Sequence, residues 1–437
     1  MINKDTFLVP LQDKIIKRWC VALSGGMDSV ALLHFLRYSL NTTLPIIALH
    51  VNHHLQSSAD SWQAFCVSLC EQWQVPLQVL SVDVVQDKGD SLEANARTAR
   101  YEALFSQLKA GDVLLTAHHA DDQAETVLLQ LLRGAGAKGL AAMPLQIENQ
   151  SGVIQYRPFL NTTRAAIAAY VAANQLKHIE DPSNEDIAFD RNYLRQKVIP
   201  VLQQRWPSYA KTLSRSAQLS AELIHWASPR WQAALEACVD TQQSSCLDCL
   251  KLMCLSPYEC SEVLRLWLEQ QGFDLPSQAQ MQQVLNLVYQ YRADSQATVT
   301  WSDVALRVYQ RRLYALSSIE TMPCLGTSLW SELDKPLEIE GLQLQAKKTV
   351  GQGIALAHLQ HCEVRFRSEG ERFHAAGRVG SHPLKKLFQE WGVPPWQRAR
   401  IPLIYAQGEL IAVVGFAYHA GKLAAENELG MVFSSVI

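Results

Sequence analysis

No stretch of the 437-residue chain reaches the roughly 18 consecutive apolar residues of a membrane-spanning helix. The amino-terminal segment MINKDTFLVPLQDKIIKRWC lacks an apolar core followed by a small-residue cleavage site, so no secretory leader is expected. Charge is scarce: 19% of residues are Asp, Glu, Lys or Arg, and the formal net charge is -3. That balance excludes a uniformly basic coat of the kind that holds nucleic acid indiscriminately. Low-complexity tracts and repeats of solenoid period are absent as well. Ten Cys in such a chain read as reduced thiols, and the expected location is cytoplasmic with no membrane partner.

The near-zero total hides segregation. Residues 1–215 carry 20 basic and 20 acidic side chains, residues 216–340 carry 8 and 15, and residues 341–437 carry 11 and 7. Surplus positive charge therefore collects at the carboxyl-terminal end.

The first third alternates short apolar runs with helical periodicity. Val21-Ala22-Leu23, Ile46 to Val51, Leu77 to Val82 and Val113 to Ala117 read as strands, and Ser61 to Gln74 and Ser91 to Leu108 as helices between them. This alternation predicts βαβ units and a doubly wound parallel sheet, with ligands beyond the carboxyl ends of the strands. Ser24-Gly25-Gly26-Met27-Asp28-Ser29 lies at one such end, just ahead of a helix. Its glycines permit a tight turn with backbone amides free to approach an anion, and the helix adds the positive end of its dipole. A plain strand-to-helix turn would also use two glycines. The segment is neither a Walker loop, which needs Gly-Lys-Ser/Thr, nor a Gly-x-Gly-x-x-Gly dinucleotide turn. At another strand end stand His118 and His119, then Asp122 and Glu125, three apart and so on one helical face. They suit an ammonium ligand or a base; they also suit an acidic helix start that offsets the dipole.

Ser-Gly-Gly-x-Asp-Ser resembles the pyrophosphate loop of the ATP pyrophosphatases, and the rest narrows the resemblance. Leu49-His50-Val51-Asn52-His53, Glu93 to Arg97 with Arg100-Tyr101, the His-His-x-Asp-Asp-Gln block, Asp181-Pro182-Ser183-Asn184 with Arg191-Asn192, Gly370-Glu371-Arg372-Phe373, Leu384 to Phe388 and Val393-Pro394-Pro395-Trp396 together resemble the tRNA(Ile)-lysidine synthases. The resemblance implies ligation of free L-lysine to C2 of the wobble cytidine of a CAU anticodon in tRNA(Ile), through an adenylated intermediate. ATP would be consumed to AMP and pyrophosphate with Mg²⁺ organised by Asp28, and a homodimer is implied on the same ground. By this analogy Ser24, Gly25, Gly26, Met27, Asp28 and Ser29 hold the nucleotide. Asp122 and Glu125 bind and orient the amine, His118 sits at the reaction centre, and Arg97 meets the nucleotide phosphate.

Further along, Leu219, Leu223, Trp226 and Leu235, then Val263 to Leu268 and Val284 to Val288, fall at helical spacing and read as core. Cys246-x-x-Cys249 invites a metal, yet its leucine-rich surroundings suit small core residues. A cluster there would favour the alternative, a tRNA cytidine thiolase of the same fold. Between Arg365 and Arg400 eight basic residues stand against three acidic ones, with Phe373, Phe388, Trp391 and Trp396 interleaved. This composition suits an RNA surface, and equally a charged face over an aromatic core. The expected tRNA-binding residues are Arg191, Arg195, Arg372, Lys385, Lys386, Arg398 and Arg400. The organisation expected is a catalytic domain over 1–215, a helical tRNA-binding middle domain over 216–335, and a small α+β tRNA-binding domain over 340–437.

Overall fold

The computed structural model describes residues 7, 11, 13–40, 42–53, 58–82, 92–149, 151–240, 243, 245–290, 297–317, 324, 326–339, 341–368 and 370–436. The chain forms two compact units, Met1–Ala227 and Ser228–Ile437.

In the first unit the apolar runs pair as one six-stranded sheet. β1 (Arg18–Ala22), β2 (Ile46–Asn52), β3 (Leu77–Ser81), β4 (Asp112–Leu115) and β6 (Ile154–Tyr156) are parallel, and β5 (Gln146–Glu148) closes the β6 edge antiparallel, in the order β3-β2-β1-β4-β6-β5. The central strands are largely apolar, with Arg18, His50, Asn52 and Asp112 as exceptions, because helices cover both faces. Alternate side chains serve alternate layers: Trp19 and Val21 join Phe35, Phe159 and Ile167 on one face, while Cys20 meets Leu49, Leu104 and Leu114 on the other. The first face packs α1 (Met27–His34) and α2 (Ala59–Trp73), and Leu104 of α3 (Leu92–Ser106) covers the second. The chain leaves β1 toward β3 on one side and resumes with β4 on the other. The order therefore reverses between β1 and β4, and their carboxyl ends open a crevice.

The second unit begins inside a long helix, Tyr209–Cys238. Helices Pro257–Gln270 and Gln278–Tyr289 follow, each started by a serine, Ser256 or Ser277, whose hydroxyl accepts an amide of the first turn. The middle region is helical through Tyr289 and adds an antiparallel sheet of Cys246–Asp248, Arg312–Ser317, Val304–Tyr309 and Thr298–Trp301, in that spatial order. Val263, Leu264, Trp267, Val284 and Val288 pack against it as expected of core residues. From Thr327 come three further antiparallel sheets, of five, four and two strands, with the helix Leu384–Glu390 alongside.

One expectation about the helical stripes changes. Leu219, Leu223 and Trp226, read as core, are exposed, Trp226 by 75%; their spacing puts them on one face of the long helix, and periodicity marks such a face without saying what covers it. Cys246 and Cys249 are buried in two different apolar clusters, and burial pushes their thiols up to about 11 and 12. They pack as small core residues. No helix among the described residues is long and apolar enough to cross a membrane.

Candidate active site

The crevice between β1 and β4 gathers the residues singled out at the strand ends. After β1 the chain turns through Ser24, Gly25 and Gly26 into α1. Gly25 has φ +85, and a Cβ there would lie 2.5 Å from Ile179 Cδ1, so only glycine fits. Ile179 in turn donates its amide to Gly25 O at 2.9 Å. Hydroxyls lock the turn: Ser29 Oγ donates to Gly26 O at 3.0 Å, Ser24 N donates to Ser29 Oγ at 3.2 Å, and Gly26 N donates to Ser24 Oγ at 3.3 Å. Gly26 caps α1 without a side-chain bond, which leaves the helix's first amides open toward an anion.

Asp28 stands in the first turn of α1. Burial raises its carboxyl above the ordinary value, with His119 pulling against that shift and Asp122 adding to it. Its Oδ1 is buried with no hydrogen-bond partner. An unsatisfied carboxylate oxygen beside an anion-binding turn fits Mg²⁺, which takes one or two carboxylates and completes its shell with phosphates and water.

The second half of the site starts at the amino end of α4 (Ala120–Leu132). His119 caps it: Nδ1 accepts the Asp122 amide at 3.2 Å, and the His119 amide donates to Asp122 Oδ2 at 3.0 Å. The His119 Nε2 faces Asp28 Oδ2 at 3.7 Å. His119 thus stands between the glycine turn and the α4 carboxylates, a position that the His-His pair signalled but that gave it no part in the expected site. His118 Nδ1 lies 3.1 Å from Thr116 Oγ1. Burial holds this imidazole far below its ordinary pKa, Asp122 opposing and Arg157, Arg97 and Arg191 reinforcing, so the ring is neutral near pH 7.

The two α4 carboxylates have different surroundings. Glu125 is 1% exposed and wholly engaged: Arg191 Nε donates to Oε2 at 2.8 Å, Arg195 Nε to Oε1 at 2.8 Å and Arg195 Nη2 to Oε2 at 2.9 Å. Asp122 receives Arg195 Nη2 at 3.3 Å and keeps a partly open face. Burial would raise its carboxyl, but His119 and Arg191 outweigh that and keep it ionised. Arg191 and Arg195, expected on tRNA phosphate, are half-buried and donate to the α4 carboxylates. Arg157 is a basic residue the sequence reading missed. Directly after β6, it is 5% exposed, donates Nη1 to Pro144 O at 2.7 Å, and leaves Nε without a partner. Its signal was available, since it ends an apolar run as the His pair does. Arg97 is half-buried, its guanidinium 5.3 Å from the Tyr101 ring centre, and its charge acts on both His118 and Arg157. The side chains of Glu93, Ala94, Ser183 and Asn184 lie outside the described residues, as does Glu369.

Residues 3–202 match the family model of the PP-loop domain, residues 247–314 that of the TilS substrate binding domain, and residues 362–434 that of the TilS substrate C-terminal domain. Proteins named tRNA(Ile)-lysidine synthase align with nearly the whole chain. That of Coxiella burnetii is 38% identical over 94% of this chain and 92% of its own. That of Serratia proteamaculans is 40% identical over 92% of both, and that of Escherichia coli O157:H7 is 37% identical over 94% of this chain and 95% of its own.

The chain belongs to the tRNA(Ile)-lysidine synthase family.

It is accordingly an enzyme, a PP-loop ligase that uses ATP, in a family of tRNA-modifying proteins. The part that matches the TilS C-terminal model does not present its basic residues as composition suggested. Arg365 pairs with Glu363, Arg367 with Glu371 at 4.0 Å, and Arg378 with Glu390. Arg398 is 5% exposed, which removes it from any phosphate-facing surface. Phe373, Phe388 and Trp396 are buried, so they are core rather than platforms for unstacked bases. Arg372, Lys385 and Lys386 are exposed, and Arg400 is half-buried.

Proposed function

We propose that this protein joins lysine to C2 of the wobble cytidine in the CAU anticodon of tRNA(Ile), consuming ATP to AMP and pyrophosphate. One observation carries the reading: His119 stands between Asp28 of the glycine turn and Asp122 of α4, within 3.7 Å of the first and 3.5 Å of the second. An adenylating end and an amine-handling end therefore meet in one crevice.

In the first step the cytosine O2 attacks the α-phosphorus and the bond to pyrophosphate breaks. The amides of Met27 to Ser29 and the dipole of α1 meet the charge that leaves. Mg²⁺, held by Asp28, supplies neutralisation of the phosphate oxygens when bound. In the second step the lysine ε-nitrogen attacks C2, the C2–O bond breaks and AMP departs. Attack requires a deprotonated amine in position. Asp122, ionised and partly open, orients it, and the neutral His118 accepts a hydrogen bond beside it. Glu125 acts through others: saturated by Arg191 and Arg195, it fixes the two guanidiniums next to Asp122. Arg97 and Arg157, whose Nε is unsatisfied, face the adenylate phosphate.

The decisive experiment incubates CAU-bearing tRNA(Ile) with the protein, ATP and lysine, and weighs the wobble nucleoside by mass spectrometry. A lysine adduct appearing only with ATP is the expected product. An unchanged cytidine overturns the reading, and a sulfur-containing one replaces it with thiolation.

A further inference from the structure

Arg398 is a charged side chain with no business in a dry interior unless something there needs it. Its Nε donates to Val393 O at 2.9 Å, within its own turn, and its Nη2 donates to Tyr309 Oη at 3.2 Å, on the strand Val304–Tyr309 of the middle sheet. The guanidinium also lies 6.0 Å from the Tyr309 ring centre. Two residues earlier, Trp396 meets the same sheet edge-on. Its ring centre is 5.3 Å from that of Tyr314 at 72° and 6.2 Å from that of Tyr309 at 79°. Arg307 places its guanidinium 5.5 Å from the Trp396 ring, and Cys246 and Leu316 complete the cluster. Pro394 and Pro395 hold the turn that presents both side chains. The segment Val393–Arg398 therefore bolts the carboxyl-terminal sheets onto the middle sheet.

We propose that Arg398 and Trp396 are positioning residues that set the spacing between these two parts of the second unit, and thereby align two separate contacts with one tRNA. The proposal rests on the lysidine-forming reading above. Two contacts held at a fixed span bind one ligand with a high effective concentration, which falls when the span is free to vary. Arginine is required because one planar fork must satisfy acceptors on two different elements, which a lysine ammonium cannot do in the same plane.

The test measures spacing and catalysis separately on the full-length protein. Spin labels go on Cys254, the exposed cysteine of the middle part, and on a cysteine introduced at the exposed Glu426; the remaining cysteines are buried. Pulsed dipolar spectroscopy should give a narrow distance distribution in the parent and a broad one in Arg398→Met. Tyr309→Phe, which removes only the acceptor hydroxyl and keeps the ring, should broaden it less and serves if Arg398→Met does not fold. In the same proteins KM for full-length tRNA should rise about tenfold with kcat unchanged, the size expected when one of two linked contacts loses its alignment. An unchanged distribution in both variants overturns the fastening. A broadened distribution with unchanged KM, or a loss confined to kcat, overturns its role in tRNA alignment. If the parent itself makes no lysidine, the functional reading fails while the distance measurement still decides whether the joint exists.

Discussion

The strand-end crevice of the first unit and the basic stretch of the second both look, in sequence, like polar residues waiting for a polyanion, and they fold to opposite results. In the crevice the glycine turn and the His-Asp-Glu block come from segments about ninety residues apart and converge on one another. In residues 365–400 the polar residues disperse: some pair with glutamates, one becomes an internal fastening, and the aromatics fill the core. Backbone constraint explains the difference. A glycine turn at a strand end has one place to go in a parallel sheet, whereas an arginine on a small domain has many partners to choose from.

Asp28→Asn should produce the largest effect and would break the first half of this contrast if it did not. Pyrophosphate release in the presence of tRNA should fall on the order of a thousandfold, as for loss of a charge placed at the reacting phosphates. Retained release would mean that the turn is not the adenylating site.

A pair of glutamate variants sharpens the contrast in stability. Glu125→Gln leaves two guanidiniums without their carboxylate in a buried setting, and denaturant unfolding should show a loss of about 3 kcal/mol. Glu390→Gln removes the partner of the surface residue Arg378 and should cost under about 1 kcal/mol. Equal costs would show that the crevice pairs are solvated.

Among the exposed lysines the effect moves to binding. Lys385→Ala with Lys386→Ala should weaken tRNA affinity and lower the slope of log affinity against log salt by about two, read by titration at several salt concentrations. A slope that does not change would place the phosphate contacts elsewhere on the second unit.

The smallest expected effect is acid sensitivity. Burial lowers the pKa of His34, His50 and His53 in the first unit below the ordinary value of 6.5. Their folded state binds fewer protons than the unfolded chain as pH falls. The stability these groups contribute is thus complete above pH 6.5 and declines below it. Unfolding followed at pH 7 and at about pH 5 should show a loss of roughly 1 kcal/mol in the first unit, and His50→Asn should reduce that loss. A first unit equally stable at both values would mean that these rings are hydrated.

Much of the first unit is legible in the sequence. Apolar runs gave the parallel sheet, the glycine turn and the His pair fell at its carboxyl edge, and Asp122 and Glu125 shared a helical face as their spacing requires. Partnerships were not legible. Nothing in the spacing of Arg191 and Arg195 tells an outward ridge from an inward clamp, because the four-residue period fixes only that both lie on one side of the helix. Leu219, Leu223 and Trp226 show the same limit for apolar residues, and Arg157 shows it for a cation whose company comes from distant strands.

What the sequence by itself determined was the local grammar: which runs are strands, where the chain must turn through Gly25, and which face of α4 carries carboxylates. These follow from steric and periodic rules that act over a few residues. What only the tertiary structure decided was the company each charge keeps. His119 between Asp28 and Asp122, Glu125 closed by two arginines, and Arg398 drawn inside against Tyr309 all depend on which distant element arrives alongside. The energy of a charge is set by its surroundings, and those surroundings exist only once the chain has folded.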